Sequence, residues 1–596
     1  MIELIDLPSR IFDLLPFYLE RYADKDCMFA GIQQGKWIKY DGQRFCQLTH
    51  ALSLSLLRMG FRKGDKVALI AANSPQWNMI DFAVMQIGAI LVPIYPNISV
   101  GEFDYILEHS EAMAVFVDGQ KTYNRYKDSI VRHMQDNFVC FINASTDRTH
   151  TSVENLTLPS EAETNLETLL EETKQGITPQ DIATIIYTSG TSGSPKGVML
   201  SHENIMSNIK YYGGHFPAVE SVVSYLPLSH IFERSAQYTR MYYGIPVYYV
   251  ESMATIMRDI ASVKPEELST VPRLIEKVYN GALQKGKQLK GLKKKIFFWA
   301  FDLAEHYNET GQNNSWLFLK KLELADKLVF KKVKEVFGGR LKLFISGGAS
   351  VQPRLVRVFA AMHCPIIEGY GMTETSPVIA TNSYSLMKIK AGTVGFPCAN
   401  LDVKIDPDTS EILVKGSSVM LGYYKNEELT QQSFDKEGYF HTGDKGCLDK
   451  DGYLAITGRL KEIFKDSMGK YISPSMIENK LCESPWFNNA IVVGEYQKFA
   501  AALIVPNFGQ VKLWCEENNI PYTTDTEMAK DSRVMARIRE EVNVCNKAFN
   551  SYEQIKRFAL LDHDWTVESG ELTPSLKKRR AVIMEKYKEV IETLFA

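Results

Sequence analysis

Tyr187-Thr-Ser-Gly-Thr-Ser-Gly-Ser-Pro-Lys-Gly-Val198 follows an apolar run, Ile182 to Tyr187, that reads as a buried strand. A strand that gives way to glycines, hydroxyls and one lysine is suited to receive an anion. Small residues let backbone N–H groups come close, hydroxyls donate hydrogen bonds, and Lys196 supplies positive charge. Polyphosphate is the ligand that such a loop fits. The pattern is not a Walker A loop, which needs Gly-Lys-Ser/Thr; here Pro195 precedes the lysine and Gly197 follows it. Taken alone, the stretch also allows a plain Ser/Gly turn.

Outward from this loop, short apolar runs recur: Val67 to Ala71, Ile90 to Ile94, Ala114 to Val117 and Phe138 to Ile142. Runs of this length suit parallel strands covered on both faces. Helical patterns lie between them, for example Pro75 to Ile87, so the alternation predicts an α/β fold. Residues 145–180 are polar and read as a surface connection. Residues 264–335 are rich in Lys and Leu and mostly helical in pattern, and strands return at Leu341 to Ile345 and Val403 to Ile405. After Gly438 the texture changes to Asp- and Gly-rich turns. A compact unit then starts with a helix at Ser473-Pro474 and strands at Ala490 to Val493 and Ala500 to Val505. The expected architecture is a large α/β region with mostly parallel sheets, a domain boundary near Arg459 to Lys461, and a compact α+β unit after it.

Bulk composition excludes several classes. A length of 596 residues predicts more than one domain. A net charge of -3 gives no reason to expect nucleic acid. The cysteines are nine, scattered, and in no C-x-x-C arrangement, which predicts free thiols in a reducing compartment. Met1 to Glu20 carries Glu3, Asp6, Arg10 and Asp13 and does not resemble a signal peptide; no transmembrane run is expected.

Further motifs stand in order behind the loop. Ser346-Gly-Gly-Ala349 follows a strand, and its glycines allow close approach to a flat ring. In Glu368-Gly-Tyr-Gly-Met-Thr-Glu374, Tyr370 offers an aromatic face, Thr373 a hydroxyl, and Glu374 a hard oxygen ligand for Mg²⁺. Tyr439-Phe-His-Thr-Gly-Asp444 ends in a carboxylate able to accept two O–H bonds. Then come Gly458-Arg459, Lys461, Gly469-Lys-Tyr471 and, near the end, Gly570-Glu-Leu-Thr-Pro-Ser-Leu-Lys577-Lys-Arg-Arg580.

This ordered set resembles the adenylate-forming superfamily, which holds acyl-CoA synthetases, firefly luciferases and nonribosomal peptide adenylation domains. The phosphate loop is similar to its Y-T-S-G-T-T-G-x-P-K-G-V signature, with Ser192 in place of the usual threonine. The resemblance implies a phosphate cradle of Thr188, Ser189, Gly190, Thr191, Ser192, Gly193 and Lys196. It implies Gly347, Gly348 and Ala349 against adenine, in a pocket completed by Glu368, Gly369, Tyr370 and Gly371, with Tyr370 at the adenine too. Thr373 would meet the α-phosphate, and Glu374 the metal together with Thr188. Asp444 would hold the ribose, Arg459 the ribose or phosphate. The resemblance further implies a large N-terminal domain (1–458) of layered α/β subdomains, a hinge (459–461) at Lys461 and a small mobile α+β domain (462–596), with Gly469 and Tyr471 bordering the pantetheine tunnel and Lys577 as the adenylation lysine, Lys578 being its nearest rival.

Tyr225-Leu-Pro-Leu-Ser-His-Ile-Phe-Glu-Arg234 resembles a segment of long-chain acyl-CoA synthetases and places His230 near the acyl substrate. The implied reaction joins a medium- to long-chain fatty acid to coenzyme A through an acyl-adenylate, with ATP and Mg²⁺, in the cytoplasm. Lys293-Lys-Lys-Ile-Phe-Phe-Trp-Ala-Phe301 leaves two readings: a helix packed on the body with an exposed lysine edge, or a peripheral contact with the inner face of a membrane. The rivals to CoA ligation are an acyl-AMP ligase that loads a carrier protein and a non-catalytic nucleotide or fatty-acid binder. The sequence is silent on oligomeric state.

Overall fold

The helix expected from Pro75 runs Pro75–Gln86. The Ser74 hydroxyl accepts the Trp77 N–H at 3.1 Å, and Pro75 sits in the first turn, where its missing N–H leaves no bond unmade. Proline in the first turn also opens Pro474–Cys482. The computed structural model describes residues 4, 6–134, 138–142, 151–157, 164–188, 195–311, 314–567, 569–573 and 577–596.

The short apolar runs become the strands of an eight-stranded sheet. Its spatial order is Gly422–Tyr423, Lys196–Ser201, Ile182–Thr188, Ile90–Ile94, Lys66–Ile70, Ala114–Val117, Val139–Phe141, Thr151–Ser152. The pairings from Ile182–Thr188 onward are parallel; the two at the Gly422 edge are antiparallel. Every residue of Ile90–Ile94 and Ala114–Val117 is buried, which is why these strands read as unbroken apolar runs rather than alternating ones.

A nine-stranded sheet runs in the order Phe396–Pro397, Val378–Thr381, Ile366–Gly371, Leu343–Ser346, Glu267–Thr270, Val222–Ser224, Val247–Tyr249, Phe29–Gln33, Lys36–Tyr40. It is parallel through its middle and antiparallel at its ends.

The chain divides into two compact units. One is Met1–Val403 with Val414–Phe440 and Gly452–Leu454, and it holds both large sheets. The other is Lys404–Leu413, His441–Asp451 and Ala455–Ala596. Within the second, Phe487–Val493 pairs antiparallel with Ala500–Pro506, which pairs parallel with Ile555–Leu560. Ile477 and Leu481 of Pro474–Cys482 and Val534, Ile538 and Val542 of Ser532–Asn546 share a core with this sheet. The fold class is therefore α/β followed by α+β, as expected.

The 145–180 segment departs from the reading as a plain connection. Among its described residues are the helices Val153–Leu156 and Thr164–Gln175. Leu166, Leu169, Leu170 and Thr173 fall on one helical stripe, and Leu170 is fully buried. The acidic residues between them hid that stripe. All nine cysteines are free thiols, and no helix among the described residues is long and apolar enough to cross a membrane.

Candidate active site

Thr188 ends the strand Ile182–Thr188, and its cross-strand partner is Lys196, the first residue of Lys196–Ser201. The loop between them, with Ser189, Gly190, Thr191, Ser192 and Gly193, lies outside the described residues. Its two flanks are fixed by the hairpin. A Cβ on Gly197 would lie 2.9 Å from Ile185, 3.2 Å from the Tyr187 ring and 3.3 Å from Tyr424. The absent side chain therefore lets the Gly422–Tyr423 strand close on the hairpin.

That closure brings in a residue the sequence reading missed. The Tyr423 hydroxyl donates to Glu374 Oε1 at 2.9 Å, and the Lys196 ammonium lies 5.4 Å from the centre of the Tyr423 ring. Lys196 and Glu374 thus flank one buried phenol. Burial and the adjacent Glu374 carboxylate push that phenol above the ordinary tyrosine range, so it stays a donor. Glu374 is held by its backbone as well: its carbonyl accepts the Met420 N–H at 2.8 Å. Gly371 admits no side chain, since a Cβ there would fall 1.7 Å from the Pro377 carbonyl oxygen. Nothing in the local pattern separates Tyr423 from Tyr424 beside it. Only the pairing of Tyr423 with Val198 does so.

Ser346 and Glu368 are parallel neighbours, which sets the Gly347-Gly348-Ala349 turn beside the start of the Gly369-Tyr370-Gly371 segment. Gly347 is buried, whereas Gly348 and Ala349 are exposed and Tyr370 is half-buried. The Glu368 carboxyl faces inward and accepts the Val351 N–H at 3.1 Å, bracing the turn. Burial pushes its pKa up to about 8, against the lowering effect of that amide. Thr373 is buried at the start of the short turn Thr373–Thr375.

His230 caps the helix Ile231–Tyr242: its Nδ1 accepts the Phe232 N–H at 3.1 Å. In the neutral ring the proton then sits on Nε2. The Phe232 ring lies 3.6 Å from where a Cβ on Gly347 would be, so this helix start borders the glycine turn. The charged residues that follow do not face solvent. Arg234 pairs with Asp81 and donates to the Thr184 hydroxyl at 2.9 Å, tying the helix to the strand that ends in Thr188. Arg240 bridges Glu233 at 2.7 Å and Glu267 at 2.9 Å, all three buried.

The remaining candidates belong to the second unit. Arg459 Nε donates to Asp444 Oδ1 at 2.8 Å. Thr442 and Gly443 shape the turn ahead of Asp444: the Thr442 hydroxyl donates to the Ile412 carbonyl at 2.7 Å, and the Gly443 N–H to Glu411 at 2.8 Å. Lys461 is exposed on the turn Leu460–Glu462. Gly469, at φ +79°, lies in a turn closed by Asp466, which accepts the Met468 and Lys470 N–H groups. Tyr471 is exposed, its ring 4.8 Å from the Lys465 ammonium.

The two neighbouring lysines differ sharply. Lys578 forms an ion pair with buried Glu478 and donates to the Ala490 carbonyl at 3.0 Å. Arg580 joins the same carboxylate, and the Val492 N–H completes it at 2.8 Å. Although burial pushes Glu478 upward, Lys578 and Arg580 hold it below the ordinary carboxylate range. Lys577 is exposed, and its backbone N–H donates to the Thr573 hydroxyl at 3.0 Å.

The oxygen donors of the first unit suit magnesium. Glu374 supplies a carboxylate with one oxygen already oriented by Tyr423, and Thr188 a hydroxyl. Mg²⁺ favours such hard ligands and needs only one or two from protein when it binds with a polyphosphate. Among the described residues no group of three or more His, Cys, Asp or Glu forms a closed metal cage.

A phosphate-loop hairpin, an acidic turn and a separate α+β unit define an adenylate-forming fold. The profile of the AMP-binding enzyme family matches residues 18–424, that of the AMP-binding enzyme C-terminal domain matches 462–596, and the chain belongs to this family. It is 32% identical to a long-chain-fatty-acid–CoA ligase of Mycobacterium bovis, over 97% of this chain and 96% of that one. It is 29% identical to the peroxisomal long chain acyl-CoA synthetase 6 of Arabidopsis thaliana, over 94% of this chain and 82% of that one. Among solved structures, the adenylation domain of a carboxylate reductase from Mycobacterium chelonae superposes with a TM-score of 0.75 at 21% identity, covering 98% of this chain and 91% of that one.

Proposed function

We propose that this chain is an AMP-forming ligase that activates a medium- to long-chain fatty acid as its acyl-adenylate and passes the acyl group to coenzyme A, releasing AMP and pyrophosphate. The observation that carries the reading is the meeting of Lys196 and Glu374 on Tyr423, beside Thr188. A cation, a carboxylate and a hydroxyl converge where the phosphate loop begins and ends. The long-chain ligases among the relatives, similar over nearly the whole chain, support the acid and the acceptor.

In the first half-reaction a carboxylate oxygen attacks the α-phosphorus of ATP, and the bond to the β-phosphate oxygen breaks. Two anions must meet, so positive charge and preorganised donors have to offset their repulsion. Thr188, Lys196 and Thr373 serve the phosphates, and the loop residues 189–193 complete that cradle. Gly347 to Ala349 and Glu368 to Gly371 form the adenine pocket, Tyr370 lying against the ring, and Asp444 and Arg459 hold the ribose. Glu374 and Thr188 would hold the magnesium, which, when bound, neutralises phosphate charge. His230 borders the acyl group, offering an N–H at Nε2. In the second half-reaction the CoA sulfur attacks the acyl carbon and the bond to AMP breaks.

Lys577 is the lysine that approaches for the first step. The enclosure of Lys578 by Glu478 and Ala490 supports that choice. A hinge at 459–461, with Lys461 at its centre, moves a small domain (462–596) away from the large one (1–458) between steps. Gly469 and Tyr471 then border the path of the CoA arm. We place the enzyme in the cytoplasm; peripheral contact with the inner face of a membrane is the second reading, favoured by the exposed Lys293, Lys294 and Lys295 and opposed by the burial of Phe297 and Phe301 in the core.

The test is direct: incubate with ATP, Mg²⁺ and palmitate, with and without CoA, and follow AMP and pyrophosphate. CoA-dependent AMP release is the expected outcome. Release indifferent to CoA would point to a carrier-loading ligase, and no turnover with any acid to a binder.

A further inference from the structure

We propose that Glu571 is a positioning residue for the adenylation half-reaction, pinning the short hairpin from which Lys577 projects. The inference rests on the assignment of Lys577 to that step and concerns what holds the lysine in place.

Lys577 stands on a ladder only a few residues long. Leu572 and Lys578 form an antiparallel bridge. Beside it the Arg579 N–H donates to the Glu571 carbonyl and the Thr573 N–H to the Lys577 carbonyl, each at 2.7 Å. A two-stranded ladder of this size is marginally stable at best in water, so side chains must tie it to the rest of the unit. Side chains alternate between the two faces of such a ladder. Lys578 and Arg580 take one face, and both end on Glu478. Lys577, Arg579 and Glu571 belong to the other. Lys577 is exposed there, and Glu571 is the buried charged group of that face.

The Glu571 side chain is 0% exposed. Lys586 donates to its Oε1 at 2.6 Å and the Tyr587 hydroxyl to the same oxygen at 3.1 Å, while the Ser569 hydroxyl donates to Oε2. Tyr587 shares a core with Trp565 and Ile583. Its single O–H proton goes to Glu571, so the His563 Nε2, 2.9 Å from the phenol oxygen, meets it as an N–H donor. Burial alone would push the Glu571 carboxyl up, yet Lys586 and Ser569 bring it down to about 2, so it is charged at neutral pH. An anion is needed here. Residues 577–580 are Lys-Lys-Arg-Arg, four successive cations, and Glu478 offsets two of them. Glu571, across the ladder from Arg579, is the carboxylate on the face of the other two. A lysine reaches its target on a flexible four-carbon stem, so the base of that stem decides where the ammonium can go. Misplacing a reacting group by about 1 Å can cost about 10²-fold in rate.

Thioester formation does not use Lys577, so a fault in its hairpin should show in one half-reaction only. Glu571→Gln, Tyr587→Phe, Lys586→Met and Lys586→Arg are made in the full chain, and Glu571→Gln also on Lys577→Ala. Pyrophosphate release from ATP and palmitate, thioester formation from supplied palmitoyl-AMP and CoA, and a melting curve are measured for each. Glu571→Gln and Lys586→Met should slow pyrophosphate release at saturating ATP about tenfold or more, Tyr587→Phe about threefold, and all three should keep thioester formation within about twofold of wild type. Lys586→Arg, which keeps a cation on Glu571, should restore the first step. On Lys577→Ala, Glu571→Gln should add less than about twofold further loss, because the lysine it positions is gone. Equal loss of both half-reactions, or a full further loss on Lys577→Ala, would make Glu571 a fold residue only and overturn the proposal. So would normal pyrophosphate release in Tyr587→Phe and Lys586→Met together, the pair that decides the question if Glu571→Gln does not fold. Lys577→Ala that releases pyrophosphate as wild type does would instead sink the assignment of Lys577, and the positioning role with it. A wild type inert toward ATP with every acid would sink the ligase reading on which both rest.

Discussion

Replacing Lys578 with alanine should weaken the fold, whereas replacing Lys577 should weaken the chemistry. Lys578→Ala removes one of two cations from a Glu478 carboxylate that is only 2% exposed, together with the bond to the Ala490 carbonyl. Removing the sole partner of a buried charge costs about 3–5 kcal/mol. Arg580 and the Val492 N–H remain, and the Lys578 side chain is itself 30% exposed, so the loss should be about 2 kcal/mol. For a unit of this size that lowers the melting midpoint by about 4–8 °C. Lys577→Ala, at an exposed position, should change stability by no more than about 0.5 kcal/mol. It should slow pyrophosphate release from ATP and palmitate about 10²-fold or more. Thioester formation from supplied palmitoyl-AMP and CoA should be nearly unaffected. The two half-reactions and a melting curve are measured for each variant at a temperature where both are folded. Equal loss of both half-reactions in Lys577→Ala, or an adenylation defect confined to Lys578→Ala, would refute the assignment.

Tyr423→Phe removes the donor that orients Glu374, and the Mg²⁺ concentration needed for half-maximal pyrophosphate release should rise about tenfold; an unchanged magnesium titration would separate the phenol from the metal. Asp81→Asn strands the buried Arg234 guanidinium and should destabilise by about 3–5 kcal/mol, read from the denaturant midpoint. Glu368 has a folded pKa of about 8 against an ordinary 4.5, so the folded state keeps a proton that the unfolded chain has lost between those values. Stability should therefore decline as pH rises through that window, and Glu368→Gln, which keeps an acceptor for Val351, should flatten the decline in melting midpoint.

The α/β class, the helices that open at Pro75 and Pro474, and the order of the nucleotide motifs were legible in residue order alone, because each depends on local causes. A strand buried on both faces must be apolar throughout, as Ile90–Ile94 is, and proline suits the first turn of a helix wherever that helix ends up. Glu374 stands out in the sequence because its motif is contiguous. Tyr423 does not, since its value comes from a hydroxyl placed on a carboxylate 49 positions away. Lys577 and Lys578 are chemically identical neighbours, and only Glu478, about a hundred residues earlier, takes one of them inside. Glu233, Arg234 and Arg240 look like a solvated helix face in the sequence; folding buries them because Asp81 and Glu267 arrive from other elements to meet their charge. Patterns of burial and turn formation belong to neighbours along the chain, whereas the pairing of charges is decided only when distant segments meet.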